Sequence, residues 1–213
     1  MREQTAGEEL ANTLTHGVGL LLSVAAMSVL LVFASRRRDA WIVVACSIYG
    51  ATLVALYLAS TLYHHVRSPR AKRIWNLLDH GAIYLLVAGT YTPFTLGPLR
   101  RAGGWGWSLF GAIWGLALAG IVFQALHLHR FRLLSVLSYV VMGWLAGIAI
   151  RPLWFRLTPA GVGWLALGGL LYTLGIVFYA WKSRRFAHAV WHVFVLAGSL
   201  AHFFAILFYV VLK

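Results

Sequence analysis

The sequence predicts an all-α integral membrane protein, a bundle of seven transmembrane helices. Two observations carry that expectation: an apolar composition and the regular alternation of long apolar runs with short basic connections. Hydrophobic residues make up 61% of the 213 positions and charged residues 11%, and the mean hydropathy is +0.80. These values lie far from those of soluble domains. Seven spans of about 20 residues need roughly 140 positions, so the remaining length fits short loops and a single domain over residues 1–213.

The apolar stretches run approximately over 14–34, 41–63, 77–97, 105–126, 133–150, 160–181 and 189–211. A flank with Glu3, Glu8 and Glu9 precedes the first. That is the wrong sign for a signal peptide, so this stretch reads as a retained span. The intervals hold Arg or Lys together with Pro69, Pro98, Gly103, Gly104, Pro152 or Pro159, residues that break or turn the chain. Trp41, Trp75, Trp105, Trp107, Trp154, Trp164 and Trp181 stand near span ends, as interfacial anchors do. Gly111 with Gly115, and Gly143 with Gly147, have the spacing that lets membrane helices approach closely. Cys46 stands alone inside an apolar run, so no intrachain disulfide forms and a small buried side chain is expected.

The net charge of +13 suggests nucleic acid until its placement is considered. Arg36 to Arg38, Arg67 to Arg73, Arg100 with Arg101, and Lys182 to Arg185 are short clusters between apolar runs. Such clusters meet lipid headgroups and set orientation, whereas a nucleic-acid binder spreads its charge over one solvated face. The expected partners are therefore membrane lipids, with no nucleic acid, and the expected location is the cell membrane. With seven spans the termini fall on opposite sides. The N-terminal side then carries ten Lys and Arg and the other side eight, which favours a cytoplasmic N-terminus, although Arg36, Arg37 and Arg38 argue locally for the reverse.

Histidine placement is strongly one-sided. His16, His64, His65, His80, His127, His129, His188 and His192 all fall at the N-terminal side, and only His202 lies deeper. His188 and His192 are four residues apart, which puts both imidazoles on one helical face within reach of one ion. Ser60 and His64 share the same spacing. Asp79 is the only acidic residue inside an apolar stretch, and a carboxylate at bilayer depth costs roughly 2.5 to 3.5 kcal/mol unless it is partnered. Three histidines with a fourth position open suit catalytic zinc, an aspartate nearby could take a proton from water, and a serine hydroxyl could donate to an oxyanion. The alternative is that every one of these groups only packs helices together. For His65, His80, His127, His129 and His202 packing is the expectation. For His64, His188 and His192 with Asp79 it is a metal site.

Ser60-Thr61-Leu62-Tyr63-His64, Leu78-Asp79-His80-Gly81, Ala88 to Phe94 and His188-Ala189-Val190-Trp191-His192 together resemble the hemolysin III branch of the progestin and adipoQ receptor family. The opening Glu9, Asn12, Thr15, His16, Gly17 and Gly19, and the closing Leu200 to Phe204, extend the resemblance over nearly the whole chain. It implies seven helices, a cytoplasmic N-terminus and zinc near the cytoplasmic side. In the wider superfamily, which includes alkaline ceramidases, it further implies a zinc-dependent amide hydrolase site acting on lipids, and the expected function is hydrolysis of a lipid amide or ester. Carried over by motif, the ligands are His64, His188 and His192, with Asp79 and Ser60 beside the metal. The alternatives are a non-enzymatic sensor of lipid packing with structural zinc and, suggested by the branch name alone, a pore-forming cytolysin.

Overall fold

The structure, a computed structural model, describes residues 4–126 and 132–213, so His127 and His129 lie outside the described residues. Eight α-helices follow in order: α1 (Ala6–Ser35), α2 (Ala40–His65), α3 (Pro69–Leu96), α4 (Trp105–Ala125), α5 (Arg132–Trp144), α6 (Ile150–Arg156), α7 (Pro159–Ala180) and α8 (Ala187–Ile206). Each has a local cause. Thr5 and Glu8 close a capping box on α1, Asp39 caps α2, and Pro69 and Pro159 stand at the first position of α3 and α7, where a missing N–H costs nothing. A 3₁₀ turn over Leu145–Ala149 joins α5 to α6 into one rod, and a π turn over Leu207–Val211 prolongs α8.

Among the described residues six runs are long and apolar enough to cross a membrane: Ala6–Ser35, Ala40–His65, Trp105–Ala125, Leu133–Arg156, Pro159–Ala180 and Ala187–Val211. In α1 the amphipathicity is inverted. Along α1 the exposed stripe is Leu10, Leu14, Val18 and Leu21, while the buried stripe is Glu8, Asn12, His16, Gly19 and Ser23. A helix that turns leucine outward and polar groups inward faces hydrocarbon rather than water. The chain is a multi-pass membrane protein.

The helices pack as a ring in which α1 lies against α2, α2 against α3, α3 against α4 and α7 against α8, and α8 closes onto α1. α3 also touches α5 and α8. At one end Arg100 donates to Asp39 at 2.7 Å, Arg156 donates to the Arg101 carbonyl at 2.9 Å, and Lys213 donates to the Arg156 carbonyl at 2.9 Å. At the other end the N-terminal turn of α1 meets the end of α2 and the start of α8. In the interior Ser199 of α8 takes hydrogen bonds with Tyr57 of α2 and Tyr172 of α7, both at 2.9 Å. Cys46 is fully buried and free, as expected.

The helices outrun the apolar stretches in two places, and one packing expectation is corrected. The third stretch begins at Pro69 rather than 77, because Ser68, Pro69 and a charged first turn extend α3 beyond its apolar part. The fifth runs to Arg156 rather than 150, since Pro152 sits in the first turn of α6, where helices tolerate proline. Gly111, Gly115, Gly143 and Gly147 are exposed, with nothing within 4 Å of where a Cβ would stand among the described residues, so no helix approaches closely over these positions. The close approach falls instead at Gly19, where a Cβ would stand 2.5 Å from the Tyr57 ring.

Candidate metal centre

His64 ends α2, while His188 and His192 lie one turn apart at the start of α8. Neither element positions these rings alone. α8 opens at Phe186, whose φ of 58° is left-handed and unfavourable for an L residue, and its N–H donates to Glu8 Oε1 at 3.0 Å. Glu8 therefore docks the start of α8 onto α1. The tertiary fold brings together what lies more than 120 residues apart in the chain, for one ligand atom from each of His64, His188 and His192 lies within 4.8 Å of the others. The ring centroids are 4.6 to 5.1 Å apart.

His64 and His192 are buried, and among the described residues the Nε2 atom of each has no hydrogen-bond partner, nor has either nitrogen of the adjacent His16. An orphaned buried nitrogen costs about 1 to 3 kcal/mol, so two of them side by side call for a partner. A tetrahedral ion with metal–nitrogen bonds of about 2.0 to 2.1 Å keeps its ligands roughly 3.4 Å apart, and one ligand atom of each ring already lies within 4.8 Å of the others. The donor set fits a metal ion.

Asp79 is buried on α3 and has His64, His80 and the Ser60 hydroxyl as its electrostatic and hydrogen-bonding neighbours. Its carboxylate stands outside the three-histidine set. The nearest cationic candidate among the described residues is His80, with Nδ1 3.8 Å from Asp79 Oδ2. That nitrogen is 2.9 Å from the Asn76 carbonyl, to which it donates. Ser60 is buried and, among the described residues, does not bond its own helix's carbonyls. The adjacent Thr61 does so, to Tyr57 at 2.6 Å.

The remaining histidines divide. His65 is exposed, and His202 is buried, donates to the Gly198 carbonyl at 2.9 Å and stacks on Tyr172. His202 packs, as expected. Sequence reasoning missed the contribution of α1. Glu9 Oε2 is 2.7 Å from His64 Nδ1, and Glu9 also pairs with Lys72. Thr15 Oγ1 is 3.2 Å from His192 Nδ1, and the His16 ring stacks on His192 with centroids 3.5 Å apart and planes 13° from parallel. The available signal was the recurrence of polar positions 9, 12, 15 and 16 along one face of an apolar helix.

Comparison with known sequences agrees with the resemblance. The profile of the family described as "Haemolysin-III related" matches residues 4–203. The Hemolysin-3 homolog of Bacillus subtilis (strain 168) is 50% identical over 207 residues, covering 97% of this chain and 96% of that protein. Hemolysin-3 of Bacillus cereus is 47% identical over 207 residues, covering 97% and 94%. The Monocyte to macrophage differentiation factor of Homo sapiens, a relative of the progestin and adipoQ receptor type, is 29% identical over 216 residues, covering 95% and 84%. With the inverted amphipathicity of α1, its histidine cluster and a profile match over nearly its full length, the chain belongs to the Haemolysin-III related family.

Proposed function

We propose that the protein is a zinc-dependent membrane hydrolase of a lipid amide or ester, with His64, His188 and His192 as the metal ligands. The observation that carries this reading is the convergence of three imidazoles, two of them with buried, unpartnered Nε2 atoms, beside a buried carboxylate. Imidazole suits several first-row metals, and zinc is the usual occupant of a three-histidine site with one open position. When bound, zinc supplies Lewis acidity to the hydrolysis. Asp79 orients the attacking water and takes its proton as the oxygen adds to the carbonyl carbon. Ser60 donates to the oxyanion that forms. The C–N or C–O bond then breaks, and Asp79 returns the proton to the leaving amine or alcohol.

α3 is proposed as the seventh crossing, which leaves the N-terminus at the histidine end and cytoplasmic. Its 28 residues span about 42 Å and pack against α2, α4, α5 and α8. A helix surrounded by protein needs less apolar surface than one facing lipid.

Elemental analysis of detergent-purified protein tests the metal. Near one zinc per chain is expected, lost in a His188→Ala, His192→Ala double variant; folded wild type without metal overturns the reading. The name of the Bacillus cereus relative raises a pore-forming alternative, which leakage from liposomes given the purified protein would favour.

A further inference from the structure

We infer that α1 is the outer shell of the site: Glu9 and Thr15 fix His64 and His192 in the tautomer that turns an Nε2 lone pair toward the metal, and His16 holds the plane of His192. The inference rests on the three-histidine reading and assigns work to a helix that contributes no ligand to it.

The tautomers follow from bookkeeping of protons. Thr15 Oγ1 lies 2.9 Å from the Ala11 carbonyl and 3.0 Å from that of Asn12, and a carbonyl can only accept. The single hydroxyl proton is committed there, so toward His192 Nδ1, at 3.2 Å, the oxygen is an acceptor. His192 therefore carries its proton on Nδ1. At His64 two groups meet Nδ1: the Asn12 amide nitrogen, a donor, at 3.4 Å, and a Glu9 carboxylate oxygen at 2.7 Å whose twin is ion-paired with Lys72; the shorter, charge-assisted contact prevails and makes Nδ1 the donor. In both rings Nε2 keeps the lone pair, and among the described residues both atoms are buried without a partner, as are the two nitrogens of His16.

Hydrogen bonds of this kind from carboxylates or hydroxyls to the far nitrogen orient a ligating ring and raise its basicity. His16 adds a face contact. It is 2% exposed, lies parallel to His192, and is held from beneath by Tyr57 at 5.0 Å edge-on, which Gly19 admits between α1 and α2. One helix thus grips two of the three ligands.

Two measurements test this independently of turnover. Nitrogen NMR of histidine-labelled, metal-free protein reads the tautomers directly. His64 and His192 in the Nδ1–H form are expected, and the Nε2–H form at either ring overturns the assignment whether or not zinc binds. Chelator competition then reads affinity: Thr15→Val and Glu9→Ala are expected to weaken zinc binding by about 10- to 100-fold. Thr15→Ser, which restores the acceptor, and His16→Phe, which keeps the stacked face, are expected to remain within about threefold of wild type. Wild-type affinity in folded Thr15→Val and Glu9→Ala overturns the shell while leaving the metal site standing. If wild type binds no zinc, the metal reading fails and the tautomers alone decide whether α1 orients these rings.

Discussion

Asp79 and Ser60 are 19 positions apart on consecutive helices, yet each is the other's neighbour beside His64. Their roles are separable by substitution. Asp79→Asn keeps the shape and, because Asp79 stands outside the ligand set, should keep the metal while turnover of a lipid amide or ester falls to background. Retained turnover would remove Asp79 from the chemistry. Ser60→Ala should lower turnover by roughly 10²- to 10³-fold, the usual loss when one oxyanion donor is removed. If both variants keep metal, fold and full cellular function, the site is structural rather than hydrolytic. At this scale the sequence was partly legible. Four-residue spacing puts His188 beside His192 and Ser60 one turn below His64 on any helix, whatever the tertiary fold. The bonds from Glu9 to His64 and from Thr15 to His192 join positions 55 and 177 residues apart, and no local periodicity specifies such a pairing.

The rod formed by α5 and α6 has a break inside the membrane, and a broken backbone there must find partners within the protein. Tyr91 of α3 supplies them. Its hydroxyl lies 2.9 and 2.8 Å from the Met142 and Gly143 carbonyls and accepts the Ala146 N–H at 2.7 Å. Tyr91→Phe removes all three contacts without a large change in volume. It should destabilise the fold by about 1 to 3 kcal/mol, read as a lower thermal midpoint in detergent with zinc content unchanged. An unchanged midpoint would mean that the break is satisfied some other way. The boundaries of this rod and of α3 were the least legible from sequence. Hydropathy registers apolar content, while a helix continues wherever its backbone bonds and first-turn residues allow, as Pro152 and the basic start of α3 demonstrate.

Across the whole molecule charge is divided almost evenly, and orientation rests on which end each contact joins. In the seven-crossing reading proposed above, the Arg100–Asp39 pair and the Lys213–Arg156 bond mark the end opposite the histidines, where the C-terminus would lie. With α3 crossing, a single cysteine at Gln4 should be labelled by an impermeant maleimide only from the cytoplasmic side of oriented vesicles, and one at Lys213 only from the outside, each in a Cys46→Ala background. Labelling of both from one side would refute seven crossings. The sequence by itself determined the membrane class and six of the helical runs, because hydrocarbon demands long apolar helices with their backbone satisfied internally. It also determined the three histidines, through helical spacing and a specific ordered motif. Only the tertiary structure decided that these rings converge, that α1 supplies their outer partners, and that α3 is buried among its neighbours from Asp79 onward. Those outcomes depend on how helices dock against one another, and docking is set by close approaches such as Gly19 on Tyr57 and by cross-helix bonds such as Glu8 to Phe186, which join residues far apart in the chain.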